Sequence, residues 1–163
     1  MGPHRPSLEP QPRLWHSRAM PDRPVPPPEA FPHRVLAEIR FADLDPQGHV
    51  NNAVFATFSE IGRVDFLYRP DKPLAPQGAS FVIARLEIDF LAELRWPGTV
   101  DIGTGVTRVG RSSFGLTQGL FSRGRAVAGV ENVVVMMDDE TRRSRPLPEA
   151  TVAALEELRI RQI

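Results

Sequence analysis

Residues Phe41 to Glu60 read FADLDPQGHVNNAVFATFSE. Two carboxylates, a Pro–Gly turn, one histidine and paired asparagines stand here, directly before an apolar periodic run. As turn chemistry the string is coherent. Asp43 and Asp45 can accept from nearby backbone N–H groups, Pro46 sets φ, and Gly48 supplies a permissive conformation. Asn51 or Asn52 suits the N-cap of the segment that follows. In NNAVFATFSEIGRVDFLYR, Phe55, Phe58, Ile61 or Gly62, Asp65 and Phe66 recur at three- and four-residue spacing, which predicts a helix. Its small residues, Ala53, Ala56 and Gly62, admit other backbones, and its apolar content predicts cover by sheet on several sides.

The same residues could instead hold a metal or carry a reaction. Asp43, Asp45 and Gly48 match positions 1, 3 and 6 of a calcium loop, but Gln47 and Val54 occupy positions 5 and 12. A strand also precedes the loop where that motif needs a helix. Asp43, Asp45 and His49 are few ligands for a transition metal, and His4, His16 and His33 lie in or beside the N-terminal stretch. No metal is expected. The catalytic reading rests on Asp45, a few residues before a helix start whose unpaired N–H groups carry partial positive charge and can stabilise an oxyanion. A carboxylate so placed can act on a carbonyl as general base or nucleophile. His49 could orient a water, share a proton with a carboxylate or bond to backbone. Local chemistry leaves turn former and catalyst both open.

Outward from this string the chain divides in two. Residues 1–32 hold 10 of the 17 prolines and no sustained period, so they read as a disordered or polyproline tail. The folded domain is expected over residues 33–163. HRVLAEIRFAD predicts a strand with Val35, Ala37, Ile39 and Phe41 on one face. After the helix, SFVIARLEIDFLAELRW alternates Ala84, Leu86, Ile88 and Phe90 against Arg85, Glu87 and Asp89. TVDIGTGVTRV, SSFGLTQGLFSRG and RAVAGVENVVVMMDDE follow, with turns at Gly110–Arg111 and Arg123–Gly124, and together these four strands predict an antiparallel meander. PLPEATVAALEELRI predicts a short terminal helix starting after Pro146. The expected class is α+β: a five-stranded antiparallel sheet wrapped around a long central helix, with a short C-terminal helix. The apolar run Val133–Met137 hints at a strand covered on both faces by subunit contact.

Composition narrows the function. Lys+Arg and Asp+Glu are 20 each, a balance that argues against a nucleic-acid surface. Cysteine is absent, which removes disulfides and thiolate chemistry. No apolar run approaches the roughly 18 residues of a membrane helix, so no membrane role is expected and the cytoplasm is the expected location. GRSSFG, Gly110 to Gly115, approaches a serine-nucleophile motif, but Phe114 takes the last glycine position, and the segment is a hairpin rather than a strand-to-helix turn.

The full string FADLDPQGHVNNAVFATFSEIGR, Phe41 to Arg63, resembles the D-x-D-x-x-G-H-V-N-N…E-x-x-R signature of hotdog-fold acyl-CoA thioesterases of the 4-hydroxybenzoyl-CoA thioesterase type. TRVGRSSFGLTQGLF is similar to that family's strand pair, and the likeness runs over about residues 34–140. The resemblance implies a hotdog fold that hydrolyses acyl-CoA to a carboxylic acid and free CoA, with no cofactor beyond the CoA of the substrate. Asp45 would be the catalytic carboxylate, nucleophile or general base, with a backbone N–H near Asn52 polarising the carbonyl. His49 and Asn51 match supporting residues, Glu60 the helical carboxylate, and Arg111, Ser112 and Ser113 the turn that meets CoA. It also implies a homodimer or homotetramer with active sites between subunits. A non-catalytic acyl-CoA binding module and a thioesterase acting on acyl carrier protein are the alternatives.

Overall fold

The protein is described by a computed structural model over residues 24–69 and 72–162. Five strands form one antiparallel sheet: β1 (His33–Ile39), β2 (Ala79–Phe90), β3 (Gly98–Val109), β4 (Ser113–Ser122) and β5 (Arg125–Asp138). Helix α1 (Asn52–Leu67) lies across β1, β3 and β4, and the short α2 (Glu149–Glu157) closes one end against β3. The α+β class, the antiparallel sheet and both helices are as the periodicities predict.

The strand order is β1-β3-β4-β5-β2. Only β3, β4 and β5 form the expected meander. β2 pairs with β5 along its whole length, and its connection to β3 crosses from one edge of the sheet to the other half. The β4–β5 turn is a two-residue hairpin with Arg123 and Gly124 at φ 50° and 75°, the left-handed pair that matches strand twist. Along β2 a bulge between Ile83 and Arg85 reverses the alternation, so Phe81 and Ile83 before it share a face with Leu86, Ile88 and Phe90 after it.

Of the two cap candidates the structure selects Asn51, whose side chain accepts from Ala53 N at 2.9 Å. Its inner face buries Phe55, Phe58, Ser59, Gly62, Phe66 and Leu67. Gly62 lets the helix press onto the sheet, since a Cβ there would stand 2.5 Å from Ile102 Cγ2. Cover on several sides is not what the single chain provides: Ile61, Val64 and Tyr68 remain exposed on the outer face. The first strand also ends sooner than expected. Phe41 falls in a 3-10 turn after β1 and is 72% exposed. Val133, Val135 and Met137 are half-buried, while Val134 and Met136 are fully buried.

The Pro-rich stretch is part of the packed body at its end. Residues 1–23, most of the expected tail, lie outside the described residues. Residues 24–32, by contrast, run across the back of the sheet, with Ala30 and Phe31 buried. Gly103, Gly119 and Gly129 sit side by side in three paired strands and form a furrow there. A Cβ on Gly103 would stand 2.5 Å from the Phe31 ring, and one on Gly129 2.8 Å from Val25. Phe31 meets Phe121 edge-to-face at 5.9 Å. The C-terminal segment locks the other side: Leu158 and Ile160 pair with Val106, and Arg161 N donates to Ala30 O. Packing therefore begins before His33.

Candidate active site

The loop between β1 and α1 is held by its own backbone. Leu44 and Val50 form an antiparallel bridge, Asp45 N donates to His49 O at 2.7 Å, and Gly48 N donates to Asp45 O at 3.0 Å. Gly48 turns the chain at φ 77°, which L side chains rarely adopt. The two aspartates then divide the work. Asp43 is buried, and its carboxylate accepts from Arg40 N, Nε and NH2, the nearest at 2.7 Å. Its main-chain oxygen accepts from Asn51 N, tying the loop to the helix start. Asp43 is a structural anchor.

Bonding to the Arg40 guanidinium and backbone holds the Asp43 carboxyl below the usual carboxylate range, against the opposing effect of burial. A folded-state pKa below the unfolded value, about 3.9, contributes stability at higher pH that is lost as pH falls through the folded pKa. Asp43→Asn is accordingly expected to cost about 1–3 kcal/mol near neutral pH. The gap to wild type should close in acid, below about pH 4. Urea unfolding midpoints at the two pH values check this; a gap independent of pH would contradict it.

Asp45 is half-exposed. Its Oδ1 accepts from Gln47 N at 2.8 Å and His49 N at 3.1 Å, which is the turn role read from the sequence. Its Oδ2 has no partner among the described residues. At the adjoining helix start, Ala53 N is capped by Asn51 and Val54 N donates to Asn51 O. Asn52 N–H is left without an acceptor among the described residues, and the helix dipole adds to its partial positive charge. A free carboxylate oxygen and a free N–H donor thus belong to one short segment.

His49 sits apart from that pair. Its ring Nε2 lies 2.6 Å from Arg95 NH2 and 3.1 Å from Glu93 Oε2, in the β2–β3 connection. It fastens two loops, and only its backbone, N–H and C=O, touches Asp45. Asn51 is the cap, with its side chain committed to Ala53 N.

Glu60 lies further along α1, where the helix and β2 leave a groove of about 350 Å³. Ala56, Glu60 and Arg63 line one side, and Ile83, Arg85 and Leu86 the other. Beneath it runs a buried polar chain that sequence reading missed. Gln118 Oε1 accepts from Ser59 Oγ at 2.6 Å and Asn132 Nδ2 at 2.9 Å. Gln118 Nε2 donates to Ser59 O and Thr104 Oγ1. The available signal was Gln118 itself, a polar residue on the strand face shared by Phe114, Leu116 and Leu120.

Arg111, Ser112 and Ser113 are far from the loop. They form the β3–β4 turn, where Gly110 N donates to Ser113 O and the Arg111 and Ser112 carbonyls accept from Leu147 and Met136. Asp45 follows Ile39, which pairs with Gly98 at the opposite end of β3. Twelve residues of strand separate those ends, about 35 Å of path. One chain does not bring the two groups together. Among the described residues no three of His, Cys, Asp and Glu gather in a metal-binding cluster, and no helix is long and apolar enough to cross a membrane.

A five-stranded antiparallel sheet with α1 packed across it is the fold that comparison with known proteins finds again. The family model of the thioesterase-like superfamily matches residues 39–155, and the chain belongs to that family. Among solved structures, a Thermus thermophilus thioesterase complexed with coenzyme A and Zn is 35% identical, with a TM-score of 0.71, covering 83% of this chain and 99% of its own. A predicted thioesterase from Bacillus stearothermophilus is 25% identical, with a TM-score of 0.72 and coverage of 80% and 98%. At 18% identity, a DHNA-CoA thioesterase from Staphylococcus aureus shares the fold, with a TM-score of 0.68 over 77% of this chain and 91% of that one. Comparison with curated proteins finds no match. The hotdog fold is thereby established, and the family and its neighbours support thioester hydrolysis in general.

Proposed function

We propose that the protein hydrolyses acyl-CoA thioesters, with Asp45 as nucleophile or general base and Asn52 N–H as oxyanion donor. The observation that carries this reading is that an Asp45 Oδ2 and an Asn52 N–H, each without a partner among the described residues, stand in one short segment at the start of α1. Attack on the thioester carbonyl moves charge onto its oxygen, and a preorganised N–H donor stabilises that charge without reorganisation. A CoA-complexed relative at 35% identity supports CoA as the carrier.

The site is completed by a second copy. Arg111 and its serines can reach a CoA held at Asp45 only from another chain, since their own Asp45 lies at the far end of the sheet. β2 is an edge strand whose outer side is unpaired among the described residues, and Ile83, Leu86 and Phe90 are exposed along it. That edge is where a homodimer would join its sheets.

The test is release of free thiol from a panel of acyl-CoA and acyl carrier protein thioesters, with the solution mass measured alongside. Turnover of CoA thioesters by a dimer or larger assembly is expected. Cleavage confined to the carrier protein would replace the substrate, binding without cleavage would favour a regulatory module, and an active monomer would remove the shared site.

A further inference from the structure

The groove between α1 and β2 continues past Glu60 and Arg63 into a second hollow of about 250 Å³ beside Val64, Tyr68 and Phe81. Arg63 stands at the junction. Its NH1 donates to Asn132 Oδ1 at 3.1 Å and, at 3.5 Å, approaches Ser59 Oγ. Both acceptors are neutral, and no carboxylate is in ion-pair contact with it among the described residues. A guanidinium carries five N–H donors, so most of them have no acceptor among the described residues. Its placement is enforced from below: Gln118 takes the Asn132 amide nitrogen and thereby turns Asn132 Oδ1 toward Arg63. Burial pulls the Arg63 pKa down, with Glu60 and Tyr68 opposing. Two guanidiniums line the groove, Arg63 and Arg85, and Arg85 is ion-paired with Glu87, so Arg63 is the one without a carboxylate in ion-pair contact among the described residues; Glu60 is the groove's own carboxylate.

Resting on the hydrolase reading above, we infer that this groove takes an acyl group bearing a carboxylate at its far end, and that Arg63 selects it. Arginine meets a carboxylate with two parallel hydrogen bonds, a geometry that a bare alkyl chain cannot use. Position sets the length. Eleven residues from Asn52 to Arg63 span about 16 Å of helix, and helical side chains lean back toward the N-terminus. An extended chain advances about 1.2 Å per bond, so an acyl group of roughly eight to twelve carbons brings its end to Arg63. A shorter diacid would stop beside Glu60, one turn nearer the helix start, and be repelled.

The experiment compares decanoyl-CoA with the mono-CoA thioester of decanedioic acid, as substrates and as uncleavable thioether analogues bound in a calorimeter. Wild type is expected to favour the carboxylate by about tenfold or more in kcat/KM and in affinity. Arg63→Met should bring that ratio to about one, and Arg63→Lys should fall between. The thioethers separate the two questions. A carboxylate preference in binding, lost in Arg63→Met, with no thioester cleaved, retires the hydrolase and keeps the groove. No carboxylate preference in wild type overturns the assignment, whatever the variants do.

Discussion

Asp45→Asn is expected to lower acyl-CoA hydrolysis by about 100-fold or more, with the melting temperature within a few degrees of wild type. The structure makes this substitution unusually clean. Asp45 Oδ1 serves the loop by accepting from Gln47 N and His49 N, and an asparagine carbonyl can accept both bonds. What the amide removes is the charge and nucleophilicity of the second oxygen, the one without a partner. Asp45→Ala would remove loop support as well, so the two variants separate architecture from chemistry. Full activity in Asp45→Asn would reduce Asp45 to a turn former and move the search to another carboxylate. Thiol release under saturating substrate, beside a thermal melt, decides it.

Phe31→Ala is expected to destabilise the fold by about 3–5 kcal/mol, the range for deleting a buried aromatic ring. For a chain of this size that is roughly a 6–20 °C fall in melting temperature. The ring is 3% exposed, packs edge-to-face on Phe121 and fills the furrow over Gly103 and Gly119. A residue in a disordered tail would change stability by less than about 0.5 kcal/mol, so the measurement separates the two descriptions of this segment. Gly103→Ala attacks the same contact from the sheet side, because its new methyl would lie 2.5 Å from the ring. An effect near zero for both substitutions would return residues 24–32 to the tail.

Much of the architecture was legible because it is written in local periods. The helix from Asn52, its asparagine cap, the Arg123–Gly124 hairpin and the alternating strands each depend on residues within a few positions of one another. The loop was legible for the same reason, as Asp45, Gly48 and Asn51 make their bonds within six residues. Phe41 was misplaced because alternation alone carries no stop signal. The Arg40–Asp43 contacts that end the strand need a side chain to fold back on its own turn.

By itself, then, the sequence determined the element types, the α+β class, the cap of the helix to within two asparagines and the chemistry available in the Asp45 loop, all of which follow from short-range sterics and hydrogen bonding. Only the tertiary structure decided which strands are neighbours, because antiparallel pairing of β2 with β5 joins residues about fifty positions apart and no local period encodes it. Register then turned three scattered glycines into one furrow and drew Phe31 out of a proline-rich stretch to fill it. It also set Gln118 beneath Arg63 and carried Arg111 to the far end of β3 from Asp45, since distance in a sheet is fixed by strand length and pairing, not by proximity in the chain.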